Sequence, residues 1–425
     1  MIKAYFASDP KVSLLQLVDE FLQSCIELSR STESVELDLM LFSFTDAKLA
    51  DRIRQIVTDH PTIKLRILAD WGNISNRDHR KLLDLTEIQA ANFEVKFKFD
   101  LPYLWDPLAE KLRWSYHASL GLLHHKSILI KLSGKPFRLL CGSLNWTKTG
   151  GQNYENLLRI DANSKAEIAM VEAMNKEFES LWNNDQLAKS LAEASLIKAR
   201  VIRWYKTFPE ATPAEMQREL LRLVNKNNKS KELSVRTRLD HKSLLAFSSN
   251  DPFSDSRKKG ANEQNSLRQF AMQKPSGQDK WVPLDIQTAA LDLIYSANPG
   301  EELCLCMYAF SPRVPEYTAL LEMARAGVRF RCILDRGSNK GMIQKLHEVA
   351  ERDTLDIQVL SGTRGMHQKY MVNATSSSLI TGTANMSTDS YYRHYEHRFL
   401  IRTNKRLAEA FQADFERIWT RIGSS

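Results

Sequence analysis

The spacing of apolar positions alternates between two patterns along the first part of the chain. Short runs rich in β-branched and other apolar residues predict strands, whereas residues 45–58 repeat apolar side chains three and four apart, as on one face of a helix. A second amphipathic helix is predicted at 165–183. The predicted strands are 2–6, 35–44, 63–70, 93–99, 124–132, 137–142 and 154–161. Strands and helices that alternate in this way predict an α/β fold.

The same order of elements returns near residue 283, so the chain contains an internal repeat. The runs VELDLMLFSF and LRILADWGN correspond to EELCLCMYAF and FRCILDRGSN. Each copy closes with a helix that carries Phe and Trp four residues apart, on one face, where we expect core packing. These pairs are Phe178 with Trp182 and Phe415 with Trp419.

Residues between the two copies break the repeat and are predicted to form a connector. Thr212-Pro213-Ala214-Glu215 has the cap, first-turn proline and returning glutamate of a helix start. A basic tract from Lys226 to Lys242 follows, and it is predicted to be either a phosphate-binding surface or a solvated face. The segment from Ser248 to Gln278 is predicted to be mobile. The predicted parts are an N-terminal lobe (1–185), a helical, partly flexible, basic connector (186–282) and a C-terminal lobe (283–425).

The composition is that of a folded protein with a basic balance. The chain has 425 residues and a formal charge of +8, which favours a polyanionic partner such as nucleic acid or an anionic lipid surface. Its five cysteines are odd in number and lie mostly in apolar strand-like runs, so buried reduced thiols are expected. Neither a signal-peptide pattern nor an apolar run of membrane-crossing length is apparent, so we expect a cytoplasmic protein without stable membrane association.

Two stretches repeat one arrangement of chemically useful residues: a His-x-Lys triplet, a Gly-Ser-x-Asn or Gly-Thr-x-Asn turn, and a downstream glutamate. In the first copy these residues are His124, Lys126, Asn145 and Glu155. In the second copy they are His367, Lys369, Asn385 and Glu396. Alternation along a strand places the imidazole and the ammonium of each triplet on one face. The glycine of each turn is expected to let the backbone approach a ligand closely.

The two copies together supply the groups that cleavage of a phosphodiester needs. That reaction requires a nucleophile, an acid for the leaving oxygen and donors for the equatorial phosphoryl oxygens. One imidazole, one ammonium and one side-chain amide from each lobe meet these needs if the copies face each other. A single triplet would carry little meaning, because such triplets arise by chance.

These duplicated motifs resemble the signature of the phospholipase D superfamily, and the resemblance covers both lobes. It implies two α/β lobes, each a mixed β-sheet flanked by helices, related by a pseudo-twofold axis with the active site at their interface. It also implies a covalent phosphohistidine intermediate formed without a metal ion or other cofactor.

The resemblance also implies a role for each residue of the paired motifs. One of His124 and His367 is the nucleophile, and the other protonates the leaving group and then activates water; we assign His124 as the nucleophile. The carboxylates of Glu155 and Glu396 would hold the histidines in the required tautomer and raise their basicity. The phosphoryl oxygens would be bound by Lys126, Lys369, Asn145 and Asn385, with Ser143 and Thr383 nearby.

Both copies depart from the superfamily signature at its aspartate. Lys131 occupies that position in the first copy and Ala374 in the second, with Asn373 adjacent but out of register. Tyrosyl-DNA phosphodiesterases, a nucleic-acid branch of the superfamily, also lack the aspartate and keep His, Lys and Asn. The departure therefore favours a divergent branch that acts on nucleic acid over an ordinary phospholipase.

The first lobe has extra residues between Asp70 and His124, and they mix aromatic and basic side chains. Trp105, Arg113 and Trp114 belong to this insertion. They are predicted either to stack bases and hold phosphates at the rim of the site or to anchor a surface hairpin.

The sequence thus predicts a metal-independent phosphodiesterase that cleaves nucleic acid, DNA rather than RNA, through a phosphohistidine. The alternatives are a phospholipase D or phosphatidyltransferase acting on phospholipids, and a non-catalytic nucleic-acid-binding protein. Fused lobes make one chain sufficient for an active site and leave a homodimer open.

Several further polar residues of the two copies are predicted to be structural. His125 should pack on the strand face opposite His124, and His394 and His397 should be structural neighbours of Glu396. Asp70 and Asp335, which end strands, are predicted to be turn or cap residues.

Overall fold

The structure is a computed structural model in which each lobe is built on a twisted β-sheet. It describes residues 1–32, 34–73, 80–99, 103–106, 111–114, 122–185, 187–208, 210–212, 215, 237–238, 243–248, 286–362, 365–392 and 394–424.

An eight-stranded sheet forms the centre of the first lobe, with strand order β1-β9-β8-β7-β2-β3-β4-β10. Its strands are β1 (Ile2–Phe6), β2 (Val35–Leu41), β3 (Ile63–Asp70), β4 (Phe93–Lys98), β7 (Lys126–Leu132), β8 (Lys135–Gly142), β9 (Asn156–Asp161) and β10 (Ala188–Lys189). A separate hairpin is formed by β5 (Tyr103–Asp106) and β6 (Lys111–Trp114). The helices are α1 (Leu14–Ser29), α2 (Ala47–Asp59), α3 (Arg80–Thr86), α4 (Lys165–Trp182) and α5 (Leu191–Thr207).

The second lobe repeats this plan, with strand order β11-β12-β18-β17-β16-β13-β14-β15. Its strands are β11 (Thr237–Arg238), β12 (Ser243–Ser248), β13 (Glu302–Met307), β14 (Arg329–Asp335), β15 (Ile357–Gly362), β16 (Lys369–Asn373), β17 (Ser378–Gly382) and β18 (Glu396–Ile401). Its helices are α6 (Ile286–Tyr295), α7 (Pro315–Arg325), α8 (Lys340–Arg352), α9 (Thr388–Tyr392) and α10 (Lys405–Gly423).

Both sheets are mixed, as the sequence predicted. Strands β2, β3 and β4 run parallel, as do β13, β14 and β15, while the His-x-Lys strands β7 and β16 pair antiparallel to β2 and β13. The central strands are apolar on both faces because helices or the other lobe cover both sides. The predicted fold of two similar α/β lobes is therefore confirmed.

The lobes meet through a shared apolar core that contains the two closing helices. In this core α4 packs against β12 of the second lobe, and α10 packs against β1 of the first. The rings of Phe6 and Phe411 meet edge to face across the boundary, with centroids 4.9 Å apart. The Phe–Trp pairs that close each lobe stack as predicted. Because the interface is packed like a domain interior, the lobes hold a fixed relation to each other.

Described parts of the predicted connector belong to the two sheets rather than to a separate unit. Strand β10 pairs with β4 of the first lobe, and β12 pairs with β18 of the second. The predicted helix start is present as a reciprocal cap, since the Glu215 amide donates to Thr212 Oγ1 and the Thr212 amide donates to the Glu215 carboxylate. The basic tract and almost all of Ser248 to Gln278 lie outside the described residues, apart from Arg238 and Ser248 themselves.

The cysteine prediction is confirmed, since all five thiols are free and buried. Within the described ranges, none of the helices combines the length and apolar character that crossing a membrane requires.

Candidate active site

Each His-x-Lys segment is docked against the glutamate-bearing segment of the other lobe. An isolated bridge joins Leu123 to Tyr395, and another joins Tyr154 to Met366. The His124 amide donates to the Tyr395 carbonyl at 2.9 Å, and the His367 amide donates to the Tyr154 carbonyl at 3.1 Å. The site is therefore assembled from both lobes at their boundary.

This docking makes two histidine–glutamate pairs that exchange partners between lobes. His124 Nδ1 lies 2.9 Å from Glu396 Oε2, and His367 Nδ1 lies 2.7 Å from Glu155 Oε1. Both carboxylates are fully buried, whereas the histidine side chains are 9% and 12% exposed. The hydrogen bond from His124 Nδ1 to Glu396 fixes the tautomer with its proton there and leaves Nε2 for chemistry. The His367–Glu155 contact is within ion-pair distance but is not aligned as a hydrogen bond.

Ser390 gives one of these pairs a second support. Its hydroxyl donates to Glu396 Oε1 at 2.9 Å and accepts from the Asn385 amide at 3.1 Å. The repeat places Gly150 at the matching position of the first lobe, so the carboxylate of Glu155 has no such hydroxyl there. The two halves of the site are therefore similar but not identical.

The two lysines lie on the same strand faces as their histidines, as the period of two predicted. Lys126 Nζ donates to the His124 carbonyl at 2.7 Å, and Lys369 Nζ donates to the His367 carbonyl. Both side chains are almost completely buried. Two ammonium groups thus lie beside two imidazoles, an arrangement suited to an anionic ligand.

Burial and crowding of positive charge shift the pKa of these groups downward. Burial, reinforced by Lys126 and Lys369, holds the pKa of His124 well below its usual range. Burial also lowers the pKa of His367, but the neighbouring Glu155 carboxylate opposes that shift. Burial likewise lowers the pKa of Lys126 well below the usual value and that of Lys369 to about 8. A bound anion would favour the protonated lysines.

The two asparagines follow β8 and β17 at the ends that face the site. Asn385 Oδ1 accepts from the Ala309 amide at 3.2 Å, which directs its amide nitrogen away from that contact. Asn145 Oδ1 is buried and has no hydrogen-bond partner in the described part of the chain. Their contact with phosphoryl oxygens stays a prediction.

Glycine is required at the two turns by backbone packing, not by the predicted close approach of a ligand. A Cβ on Gly142 would lie 2.3 Å from the Asn156 carbonyl oxygen, and one on Gly382 would lie 2.2 Å from that of His397. The neighbouring strand, not a ligand, therefore excludes a side chain at these positions.

The turn hydroxyls brace the same strands. Ser143 Oγ accepts from the Asn156 amide at 2.9 Å, and Thr383 Oγ1 accepts from the His397 amide at 3.0 Å. Both residues are fully buried. The structure thus gives them a bracing role, and their contact with substrate stays a prediction.

Two aromatic residues that the sequence analysis missed flank the histidines. The Phe42 ring lies 4.8 Å from that of His124, and the Tyr308 ring lies 4.8 Å from that of His367, both edge to face. The ammonium of Lys126 lies 4.9 Å from the Phe42 ring centroid, and that of Lys369 lies 5.2 Å from the Tyr308 ring centroid. Alignment of VELDLMLFSF with EELCLCMYAF would have paired these two residues.

Lys131, at the signature-aspartate position, is part of a structural ion cluster rather than of the site. Its ammonium lies 2.8 Å from Asp38, 3.0 Å from Glu36 and 3.4 Å from Glu179. Five residues of extended strand, roughly 16 Å, separate it from Lys126. In the second lobe the adjacent Asn373 is likewise used structurally, donating to Glu301 at 2.7 Å.

The remaining predictions have mixed outcomes. Asp70 caps a turn at the Gly72 amide, as predicted, and also accepts from the Leu123 amide at 2.7 Å, which anchors the segment before His124. His394 Nδ1 accepts from the Leu122 amide, a structural contact across the lobes. The insertion contains the β5–β6 hairpin, but the side chains of Trp105, Arg113 and Trp114 lie outside the described residues.

One group of potential metal ligands occurs among the described residues, and it lies away from the paired motifs. Its members are Glu302, Cys304 and Glu416. The guanidinium of Arg331 forms ion pairs with both carboxylates, so their charge is balanced by a side chain.

The paired motifs match a known domain family on both sides of the connector. A family model described as "Cardiolipin synthase, PLD-like domain" matches residues 25–182 and 290–419. The chain belongs to the phospholipase D superfamily. This phospholipase D-like protein accordingly has a site that handles phosphodiesters. No curated protein sequence matches it significantly.

Two solved structures share the fold at low sequence identity, and a third is more distantly similar. A phosphatidylserine synthase from Haemophilus influenzae Rd KW20 is 10% identical, with a TM-score of 0.57 over 98% of this chain and 86% of its own. Polyphosphate kinase from Porphyromonas gingivalis is 11% identical, with a TM-score of 0.51 over 98% of this chain and 46% of its own. Yeast tyrosyl-DNA phosphodiesterase is 11% identical, with a TM-score of 0.41 over 95% of this chain and 91% of its own. These similarities concern the fold.

Proposed function

We propose that this phospholipase D-like protein is a metal-independent phosphodiesterase that hydrolyses nucleic acid, DNA in the first instance, through a covalent phosphohistidine. The observation that supports the chemistry best is the pair of cross-lobe histidine–glutamate contacts, His124 with Glu396 and His367 with Glu155, beside two buried lysines. Together they provide a nucleophile, an acid and cationic donors in one place.

In the first step, His124 Nε2 attacks the phosphorus and forms a P–N bond while the P–O bond to the leaving group breaks. Protonated His367 gives its Nε2 proton to the departing oxygen. Burial and the two lysines lower the pKa of His124, which supports its role as the unprotonated partner. Burial also lowers the pKa of His367, so its imidazolium depends on the Glu155 carboxylate, which opposes that shift, and on the charge of the bound phosphodiester. Lys126 and Lys369 neutralise the charge on the equatorial oxygens.

In the second step, neutral His367 takes a proton from a water molecule whose oxygen attacks the same phosphorus. The P–N bond breaks, its electron pair returns to Nε2, and His124 leaves as a neutral imidazole whose Nδ1 proton has stayed on the hydrogen bond to Glu396 throughout. The reaction thus returns both histidines to their starting protonation states, and no metal ion is needed to activate the water.

Nucleic acid is favoured as the substrate by charge and by the insertion before His124. The chain carries a net charge of +8, which attracts a polyanion over a distance. The β5–β6 hairpin presents a segment that contains Trp105, Arg113 and Trp114 next in sequence to the first motif. Aromatic and guanidinium side chains are the groups that stack on bases and bind phosphates.

The proposal is tested by incubating the protein with end-labelled single- and double-stranded DNA and RNA in excess EDTA. We expect cleavage that survives the chelator and is lost in His124→Ala and His367→Ala variants. A Lys405→Ala variant, altered at an exposed lysine outside the paired motifs, serves as the control. Complete inhibition by EDTA would refute the mechanism, and tight DNA binding without any turnover would favour a non-catalytic binding protein.

A second candidate is a phosphatidyltransferase or phospholipase that acts on phospholipids. It is favoured by the description of the matching family as a cardiolipin synthase domain and by the fold shared with a phosphatidylserine synthase. Release of a headgroup, or its exchange for another alcohol, from phosphatidylglycerol-containing vesicles without cleavage of nucleic acid would establish it. The same two histidines would then act on a lipid phosphodiester.

A further inference from the structure

A second polar cluster lies directly behind His124 and Glu396, on the far side of their segments. His125 follows His124 and His397 follows Glu396, so each points to the opposite face from its neighbour. His125 Nδ1 lies 3.0 Å from His397 Nδ1, and the two rings are nearly parallel. The same two segments are thus joined in front by an imidazole–carboxylate contact and behind by an imidazole–imidazole contact.

Glu177 of α4 completes this cluster from the closing helix of the first lobe. Its Oε1 lies 3.3 Å from His125 Nε2. The three side chains, His125, His397 and Glu177, are at most 1% exposed. They form a chain from α4 through β7 to β18, and therefore from one lobe to the other.

The proton positions along this chain follow from its contacts together with the pKa shifts of its members. Two Nδ1 atoms at hydrogen-bond distance share one proton, so one imidazole donates and the other accepts. Burial lowers the pKa of His125 to about 3 and that of His397 well below its usual range, so both rings are neutral near pH 7. Burial raises the pKa of Glu177 to about 8. With Glu177 protonated, its hydroxyl donates to His125 Nε2 and His125 Nδ1–H donates to His397, whose buried Nε2 has no hydrogen-bond partner among the described residues.

Few charged groups face the chain from the elements around it. Lys126 on β7 and Glu396 on β18 are the charges that act on the two imidazoles. The rings of Phe247 on β12 and Phe399 on β18 pack against them. An apolar setting of this kind makes each internal hydrogen bond matter more, because an unpaired polar group cannot turn to water.

The opposite half of the site has different chemistry at the matching positions. Gln368, Asn156 and Asp414 replace His125, His397 and Glu177 in the repeat. Gln368 donates to the Glu155 carbonyl at 3.3 Å, and Asp414 accepts from the Tyr370 hydroxyl at 2.8 Å. One half is therefore supported by the Gln368 amide and a hydroxyl-bound carboxyl group, and the other by a chain of imidazoles that ends at a carboxyl group.

We propose that His125, His397 and Glu177 are positioning residues whose hydrogen-bonded chain sets the separation of His124 and Glu396 and keeps that pair aligned. The proposal rests on the proposed function for its kinetic consequence, whereas its structural consequence is independent of substrate. None of the three side chains touches the reacting atoms; they act through the two segments that they join.

The test compares His397→Ala and Glu177→Ala, which break the chain, with Glu177→Gln, whose amide keeps a donor for His125 Nε2. Cys332→Ala removes a buried thiol from the apolar core of the second lobe and controls for general destabilisation. Two readouts are taken below the melting temperature: steady-state kinetics, and the Nδ1–H resonance of His124 in protein with ¹⁵N-labelled histidine. The resonance reports the hydrogen bond to Glu396 directly.

We expect the chain-breaking variants to shift or lose the His124 resonance and to lower kcat about tenfold or more with little change in KM, because small misplacements of reacting groups are costly. Glu177→Gln should leave both readouts near those of the unaltered protein. The proposal is wrong if the chain-breaking variants have lower melting temperatures but show the same His124 resonance and the same kcat as Cys332→Ala. If the unaltered protein cleaves no phosphodiester, the proposed function fails while the resonance still decides the positioning role.

The same variants make a pH-dependent prediction about stability. The pKa of Glu177 rises from 4.5 to about 8 on folding, so the folded protein keeps a proton that the unfolded chain releases. Its contribution to stability therefore falls as the pH rises between those values. The melting temperature of Glu177→Gln relative to the unaltered protein should increase over this range, and a constant difference would show that Glu177 is not protonated when buried.

Discussion

At the scale of residues, the exchange of carboxylates between lobes makes the two motifs interdependent. His124 takes its partner Glu396 from the second lobe, and His367 takes Glu155 from the first. Spacing in the sequence identified these four residues but left their pairing open, because the pairing depends on bridges between segments far apart in the chain. An imidazole oriented by a buried carboxylate keeps its reactive nitrogen fixed.

Removal of the charge from either carboxylate should therefore slow the reaction more than it weakens binding. For Glu396→Gln and Glu155→Gln we expect kcat to fall about a hundredfold or more, since the wrong tautomer becomes accessible, with KM changed only a few-fold. Steady-state kinetics on a labelled oligonucleotide measures both constants. Retention of full kcat in both variants would rule out a tautomer-fixing role.

The two lysines should make anion binding depend on pH. Lys369 has a pKa of about 8 in the free site, so it loses its proton as the pH rises through that value, and a phosphodiester then meets less positive charge. We expect the dissociation constant of inorganic phosphate or a non-hydrolysable oligonucleotide to rise between about pH 7 and pH 9. Titration calorimetry measures it, and proton uptake on binding should accompany it. An affinity constant over this range would contradict the shifted pKa.

The aromatic residues beside the histidines should support the protonated forms of the site. A ring that faces an ammonium stabilises the cation, and Phe42 and Tyr308 each contact one lysine and one histidine. We expect Phe42→Leu and Tyr308→Leu to lower kcat/KM by about fivefold or more, and Tyr308→Phe, which keeps the ring, to retain most of it. Equal losses in Tyr308→Phe and Tyr308→Leu would assign the effect to the hydroxyl instead.

At the scale of elements, most strands and helices could be predicted from the sequence, and the exceptions have physical causes. The strand β2 ends at Leu41, short of the predicted Phe44, because the chain turns there to present Phe42 beside His124. The short strands β11 and β12 fall within the predicted connector. Strand β12 pairs with β18 and β11 pairs with β12, and the first of these is a tertiary contact that the local pattern does not encode.

Lys131 occupies a motif position in the sequence but lies away from the site in the structure. The sequence interpretation used it to favour a nucleic-acid branch, but its ammonium lies in an ion cluster with Asp38, Glu36 and Glu179, away from the site. We expect Lys131→Met to lower the free energy of unfolding by about 1.5–3 kcal/mol, because Glu36 loses its ion-pair partner while Asp38 and Glu179 keep Arg66. Denaturant titration measures this loss, and kcat should be unchanged. A large loss of activity with unchanged stability would return Lys131 to the site.

At the scale of the whole molecule, the two lobes act as one body with one composite site. The repeat in the sequence predicted both lobes and all eight polar residues of the paired motifs, because strand periodicity and turn residues are local signals. The shared core, the back-to-back histidine contact and the support of Glu396 by Ser390 could not be predicted in this way, since they arise where distant segments meet.

The central claim is that one composite site forms a covalent bond between a histidine and the substrate. The most direct measurement is trapping of that adduct by rapid denaturation at alkaline pH, where the P–N bond survives, with labelled DNA and mass spectrometry of the peptides. We predict an adduct on His124 that accumulates in His367→Asn and is absent from His124→Ala. Turnover of DNA with no adduct on either histidine, in the unaltered protein and in His367→Asn alike, would contradict the account.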